Sequence, residues 1–381
     1  LLTIGGLIAS IKDVIADTIR SISRINYPES LKETYIICRR DDSETIEAAT
    51  TAIANSGKVN INLCIYDGKQ INKPHSLNVG LSFASKDVIV VFDAEDEPHA
   101  DIYHIANTVM TRDQVDVVQC GVQLMNYRSN WFSTLNVLEY YFWFKSILQF
   151  FSRFGLIPLG GNTVFFRQEA LKSVHGWDEK CLTEDADIGI RLSSAGAKMR
   201  VVYDERHTTR EETPSSLHSF IKQRTRWNHG FLHVLTKGDW LRLPTFFQRV
   251  FAFYILTWPV IQAILVIYIP ISFVYAFFIK VPVFIALLTN IPFYLFFIQI
   301  VTTIVGLYEF TRGYNLAFPF WIPLKVLITF YPFQVILGIS ALRALAHIIM
   351  KKTRWEKTLH INAHRQFIGP EFKPVFFKKI I

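Results

Sequence analysis

An α/β domain followed by an α-helical transmembrane region is the architecture this sequence predicts, and three observations predict it. Residues 1–248 alternate short β-branched runs with helical stretches and charged turns, whereas residues 249–350 read almost continuously as Phe, Ile, Leu, Val and Tyr. Half of the 381 residues are hydrophobic and the mean hydropathy is +0.24, too apolar for an ordinary soluble enzyme. Such a chain suffices for one globular domain of roughly 240 residues plus a few membrane helices at ~20 residues each. The first residue is Leu rather than Met, so a preceding N-terminal piece, with room for further membrane helices, is expected.

The runs LTIGGLIA, TYIIC, VNINLCIYD and DVIVVFD, separated by helical spacing such as IKDVIADTIRSISRI, argue for parallel strands with crossover helices, buried on both faces. VIVVFD carries five apolar residues into Asp93, an acid where a central strand leaves the sheet. Ligands of open α/β sheets bind at such carboxyl ends. VDVVQCGVQLM and MRVVYD read as further strands, TLNVLEYYFWFKSILQFFSRFG as an aromatic-rich helix on the bilayer surface, and residues 215–236 as a second amphipathic helix.

Three apolar windows, at 250–279, 281–308 and 326–350, are each long enough to cross ~30 Å of hydrocarbon, with Pro259 and Pro270 as kink sites in the first. Both the soluble half and the segment KKTRWEKTLHINAHR are basic and favour the cytoplasm. Three crossings cannot place both there, so one window is interfacial or re-entrant, or one is split.

Forty Lys and Arg stand against 32 acids, but the cations are dispersed and form no basic stripe with interleaved aromatics, which argues against nucleic acid. Cys38, Cys64, Cys120 and Cys181 are far apart and form no CxxC pair, so they read as reduced core residues on a cytosolic face. No signal-peptide pattern, internal repeat or low-complexity tract is evident.

Three constellations carry chemistry. In VVFDAEDEPHAD a strand delivers Asp93, Glu95 and Asp96 to one loop. Alternate acids there can aim two oxygens at one hard cation that keeps sites open for phosphate, although a solvated acidic loop has the same composition. In CLTEDADIGIRL, Glu184, Asp185 and Asp187 crowd one helix start, where Thr183 would cap and acids suit the helix dipole. A sugar hydroxyl needs a base to become a nucleophile, and a carboxylate there would supply it. In KQRTRWNHG, spacings of three and four put Gln223, Arg226 and Trp227 on one helical face, suited to a hydroxyl, a phosphate and a sugar ring respectively. An amphipathic interfacial helix explains the same face without function. His207, His229 and His360 lack HxH or HxxxH spacing and read as polar or interfacial side chains, and the aromatic stripe at 140–151 reads as packing or a headgroup belt.

In this order, with apolar helices following, these residues resemble the membrane-embedded family 2 glycosyltransferases, the group containing cellulose, hyaluronan and poly-N-acetylglucosamine synthases. The family pattern D, DxD, TED and QxxRW stands here with Thr183-Glu184-Asp185 and Gln223-x-x-Arg226-Trp227 intact and with DxD as Asp93-Ala-Glu95. The likeness covers residues 1 to about 240 and extends to the bacterial exopolysaccharide type through WEKTLH. It implies a GT-A fold, a Rossmann-like mixed sheet, over 1–240 with its interfacial helices, transmembrane helices over 241–350, and a basic cytoplasmic tail over 351–381. Carried over by position, it implies that Asp41 and Asp42 contact nucleobase and ribose, that Lys73 lies on the donor side, and that Asp93 and Glu95 hold Mg²⁺ or Mn²⁺ and the diphosphate. It further implies Asp185 as catalytic base with Glu184 shaping its pocket, Gly160, Gly161 and Asn162 as the acceptor loop, and Gln223, Arg226 and Trp227 on donor diphosphate and acceptor sugar. Two features depart from the pattern: the first strand exit offers only Asp13, and Glu95 is one carbon longer than its counterpart, with Asp96 a competing carboxylate.

The expectation is an inverting, metal-dependent transfer from a nucleotide sugar, by family habit UDP-linked glucose or N-acetylglucosamine, to a growing polysaccharide. It is placed at the inner or plasma membrane with the catalytic domain cytoplasmic, touching the bilayer and accessory export subunits. Trp355 is expected to approach the active site from the far side of the bundle. Single-sugar transfer to a lipid carrier is the rival within the class, and a catalytically silent export subunit is the rival outside it.

Overall fold

The computed structural model describes residues 4–9, 12–67, 72–278, 282, 285, 288, 291–351 and 363–366. β1 (Ile4–Ala9), β2 (Lys32–Arg39), β3 (Ile61–Tyr66) and β4 (Val88–Asp93) alternate with α1 (Lys12–Ser23), α2 (Ser43–Ser56) and α3 (Lys73–Phe83). α4 (Ile102–Asp113), β5 (Val117–Cys120) and β6 (Val122–Leu124) follow, then α5 (Ser133–Phe142), a π-helical turn over Trp143–Ile147, α6 (Leu148–Ser152), β7 (Val164–Arg167) and α7 (Gln168–Ser173). α8 (Glu184–Ser194), β8 (Met199–Val202), β9 (Thr209–Glu211) and α9 (Leu217–Lys237) complete the domain. α10 (Phe246–Phe278), α11 (Ile291–Gly313) and α12 (Trp321–Ile349) are the apolar helices.

Seven strands form one sheet in the order β3-β2-β1-β4-β7-β5-β8. β1 to β4 pair in parallel, as the apolar runs predict, but β7 inserts antiparallel between β4 and β5, so the sheet is mixed as the resemblance implies. β4 lies mid-sheet and alternates faces: Val88, Val90 and Phe92 enter the core beneath α1, α2 and α4, while Ile89 and Val91 enter the core with α3, α7 and α8. Helix ends obey local chemistry: the Asp42 carboxylate accepts from Thr45 N–H at the start of α2, Asn72 caps α3, and Gly57 and Gly238 close α2 and α9 with φ near +63° and +77°.

VDVVQCGVQLM does not run as one strand: it splits at Gly121, and β6 pairs with β9 in a separate two-stranded sheet. A Cβ at Gly121 would lie 2.7 Å from the Tyr203 ring, so only glycine lets the chain turn off there. The aromatic helix has two faces: Leu135, Leu138, Tyr141, Phe144, Leu148 and Phe151 are buried in the domain, while Ile147, Phe150 and the following Phe154 are exposed apolar side chains. All four cysteines are buried thiols outside any disulfide.

α10, α11 and α12 are each long and apolar enough to cross a membrane. α10 runs through both Pro259 and Pro270. Most of residues 279–290, where the second expected window begins, lie outside the described residues, as do Trp355, His360 and most of the 351–381 tail. α12 differs from the other two because both its ends touch the catalytic domain. Lys325 Nζ donates to Asn130 O and Thr134 Oγ1, both at 3.2 Å, and further along Arg343 Nη1 reaches Thr225 Oγ1 at 3.3 Å. Between them Val326, Phe330, Phe333 and Leu337 share a core with Phe132 and Phe220.

Candidate active site

The site is built where β4, the α3 start, the loop before β7 and the α8 start converge at the carboxyl end of the sheet. Lys73, the first residue of α3, lies 2.5 Å from Asp93 Oδ1 and 3.2 Å from Glu184 Oε1, and it donates to Gly161 O at 3.2 Å. Burial alone would lower the Lys73 pKa, but the charges of Asp93, Glu184 and Asp185 outweigh it and hold the ammonium protonated. One cation thus gathers four expected site residues.

Asp185 stands beside it with its carboxylate towards the glycine turn: a Cβ on Gly161, whose φ is +93°, would lie 3.2 Å from Asp185 Oδ2. Burial first, and then the neighbouring Glu184 charge, push the Asp185 carboxyl up to about 7, the range a general base needs near neutrality. Asp187, third of the acid cluster, is fully buried and has a different task. It is bound by Arg191 at 2.8 Å and by Lys237, which ties α8 to the end of α9. Thr183 occupies the N-cap position of α8 but makes no side-chain capping bond. It faces α9 instead, where a Cβ on Gly230 would overlap the Thr183 Cγ2 methyl.

That contact orients the QxxRW face. Gln223, Arg226, Trp227 and Gly230 share one side of α9, so the approach at Gly230 turns the motif towards the TED turn. Gln223 is buried, and its Oε1 has no hydrogen-bond partner among the described residues. Trp227 is half-buried, with the Arg224 guanidinium 4.7 Å from its ring centre and Tyr140 6.1 Å away. Arg224 is itself held by Glu139 at 2.5 Å and by Asn136. The helix expected on the bilayer surface therefore supplies a wall of the site.

Asp96 faces inward. It is fully buried, one carboxylate oxygen accepting from Asp93 N–H at 2.8 Å and the other from Asn162 Nδ2 at 2.6 Å. Asn162 also donates to Glu211. Burial, together with the charges of Glu211, Asp93 and Glu95, raises the Asp96 carboxyl well above the ordinary range. Asp96 thus locks the turn rather than competing for a cation, leaving Asp93 and the half-exposed Glu95 as the pair of hard oxygen donors, a set suited to Mg²⁺ or Mn²⁺. Gly160 N–H donates to the buried Gln119 at 2.7 Å, and Gln119 in turn donates to Asn162 O at 3.0 Å.

Asp41 and Asp42 stand at the exit of β2, the same edge of the sheet but outside the Lys73 cluster, with Asp42 capping α2 and Asp41 exposed and bound by Arg39. The side chain of Asp13 lies outside the described residues. His207 is not solitary: among the described residues it meets His99 and Asp101 within 4.8 Å, ligand atom to ligand atom. His99 Nδ1 already accepts from Asp101 N–H at 3.1 Å, and His207 Nδ1 lies 2.9 Å from Asp204. Sequence reasoning missed Glu211, Tyr140 and Arg224. Only Arg224 carried a signal, a cation one turn before an indole-bearing face.

Residues 7–230 match the family model described as glycosyltransferase like family 2. Three curated relatives are similar to this chain over part of its length. A poly-beta-1,6-N-acetyl-D-glucosamine synthase of Staphylococcus epidermidis is 26% identical, over 68% of this chain and 60% of its own. A beta-monoglucosyldiacylglycerol synthase of Trichormus variabilis is 25% identical, over 57% of this chain and 46% of its own. A probable glycosyltransferase of Sulfolobus acidocaldarius is 30% identical, over 54% and 44%. The chain thus spans about half the length of the curated relatives it matches. Among solved structures, a mannosyltransferase from Pyrobaculum calidifontis in complex with GDP-Man and Mn²⁺ shares the fold with a TM-score of 0.54 at 14% identity, covering 92% of this chain and 88% of that one.

Proposed function

The chain belongs to glycosyltransferase family 2, and from that premise we propose that it acts on a nucleotide sugar as an inverting transferase extending a polysaccharide at the membrane. The observation that carries this reading is a single carboxylate, Asp185, with its pKa near neutrality, set against the Gly160-Gly161 turn beside the Lys73–Asp93 pair. One carboxylate poised near neutrality, with its neighbours Asp93 and Glu184 engaged by Lys73, suits a single displacement. The acceptor hydroxyl forms the new bond to the anomeric carbon as the bond to the diphosphate oxygen breaks on the opposite face. Asp185 takes the hydroxyl proton and the nucleoside diphosphate leaves.

Lys73 and Arg226 bear the donor diphosphate, and Asp41 and Asp42 the nucleoside. Gly160, Gly161 and Asn162 shape the acceptor side, Glu184 fixes Lys73 beside the base, and Gln223 and Trp227 receive hydroxyls and a ring face. Asp93 and Glu95 would hold Mg²⁺ or Mn²⁺, which neutralises charge on the leaving diphosphate when bound.

The catalytic domain lies on the cytoplasmic face of an inner or plasma membrane. α10 leaves it, α11 returns, and α12 lies along the domain, which supports an even number of crossings and a tail on the domain's side. Polymer extension is favoured by the poly-N-acetylglucosamine synthase, which is matched over more of this chain than the other relatives named above; the donor proposed with it is UDP-linked, by family habit. A second reading, one sugar added to a lipid, is favoured by the glucosyldiacylglycerol synthase. Nucleotide release by the full chain in vesicles, across UDP- and GDP-sugars with Mg²⁺ or Mn²⁺ and with Asp185→Asn alongside, tests the transfer. Release with one donor, lost in the variant, is expected. A long water-soluble product supports polymer extension, and a glycolipid extracted by organic solvent supports the second reading. No release under any condition sinks both.

A further inference from the structure

Three successive carbonyls of the acidic loop, those of Ala94, Glu95 and Asp96, are each held from behind. Thr18 Oγ1 of α1 donates to Ala94 O. The other two are bound by a residue some 270 positions away: Arg365 Nη2 reaches Asp96 O at 3.0 Å and Glu95 O at 3.4 Å. The same guanidinium donates to Thr18 Oγ1 at 3.1 Å, Ser21 Oγ at 2.9 Å and Asp17 O at 3.0 Å. Its neighbour His364 is 1% exposed, so this turn, Ala363–Gln366, is seated in the domain rather than resting on it. Thr18 is itself fully buried. Arg365 thereby joins α1, the loop bearing the metal-side acids and the chain that follows α12.

We propose that Arg365 is a positioning residue for the donor site: by clamping the backbone of Glu95 and Asp96 to α1, it fixes where the Asp93 and Glu95 carboxylates stand. Assembly of that site depends on the segment beyond α12 being docked. The inference rests on the donor-site reading given above. A planar guanidinium spreads its N–H groups over several acceptors at once, which an ammonium cannot do, so the role is specific to Arg. Outer partners that orient ligating carboxylates typically change metal affinity 10- to 100-fold when removed.

The test uses the full chain in detergent with Arg365→Ala, Arg365→Lys and Thr18→Val, read by Mn²⁺ titration (loss of the free-ion EPR signal), hydrogen exchange over residues 93–97, and nucleotide release. Arg365→Ala is expected to weaken Mn²⁺ binding at least 10-fold, speed exchange in the loop and raise the donor KM more than it lowers kcat. Arg365→Lys should fall between Ala and wild type, and Thr18→Val should loosen the loop less than Arg365→Ala. Wild-type Mn²⁺ affinity and exchange in Arg365→Ala overturn the proposal. Should that variant not fold, wild-type behaviour of Arg365→Lys overturns it. Nucleotide release without measurable Mn²⁺ binding by the wild type also overturns it while the transferase reading stands. Arg365-dependent Mn²⁺ binding without any nucleotide release sustains the clamp and defeats the transferase reading instead.

Discussion

The Lys73 ammonium stands 2.5 Å from an Asp93 carboxylate oxygen, tying the first residue of α3 to the last residue of β4. Glu184 and Asp185 lie on its other side, so one cation balances three acids. Lys73→Ala leaves those acids uncompensated. We expect at least 100-fold slower nucleotide release and a loss of about 3 kcal/mol of stability at pH 8. The stability loss should shrink towards pH 5 as Asp185, whose carboxyl is pushed up to about 7, takes up its proton. Thermal unfolding at the two pH values checks this, and an equal loss at both refutes the electrostatic account.

Asp185, with its pKa near 7, gives activity a specific pH dependence. Turnover should rise through about pH 7 as the base ionises. Stability moves the other way. A carboxyl raised from its unfolded value of ~4 favours the folded state at low pH, and that contribution is lost between ~4 and about 7. Asp185→Asn is therefore expected to be inactive yet about 1–3 kcal/mol more stable than the parent at pH 8, the full shift being discounted because the carboxylate is partly open to solvent. Nucleotide release at pH 5 and pH 8 reads the first half, and melting curves at the same two values read the second.

Gln223 separates function from folding in the same way. A buried carbonyl oxygen without a partner costs about 1–3 kcal/mol, tolerated where a ligand satisfies it. Gln223→Met should melt no lower than the parent while kcat/KM falls about 10-fold or more. Equal losses of melting temperature and activity would assign the side chain to packing.

Gly161 sits at φ +93°, and a methyl group added there would stand only 3.2 Å from Asp185 Oδ2. Gly161→Ala costs about 1–2 kcal/mol in backbone strain and pushes the base off line. A kcat loss of at least 10-fold with the donor KM within about 3-fold is expected from steady-state kinetics. By contrast Gly160→Ala meets the Phe144 ring at 2.5 Å and should chiefly lower the melting temperature.

Much of this was readable from local patterns. VIVVFD could only be a central strand, and the spacing of Gln223, Arg226 and Trp227 sufficed to put them on one face. β7 escaped because four residues after a double glycine read equally well as a loop, and antiparallel insertion is decided by tertiary pairing. The burial of α5 was ambiguous because lipid and protein satisfy an aromatic stripe alike. Asp96 and Glu95 are adjacent acids of nearly equal chemistry, and the hydrogen bonds from Asn162 and from Asp93 N–H turn one inward. Arg365 has no local signal at all, since its partners at Thr18 and Ser21 are more than 300 positions distant.

The shared core of Phe132, Phe220, Phe330 and Phe333 bears on how this enzyme can be handled. A protein ended at residue 240 would shed α12 and lay bare the aromatic face that α12 covers, so it should be insoluble even though every motif residue remains. The smallest well-behaved catalytic unit would then include the apolar helices, and detergent would be a condition of its folding rather than of its extraction alone.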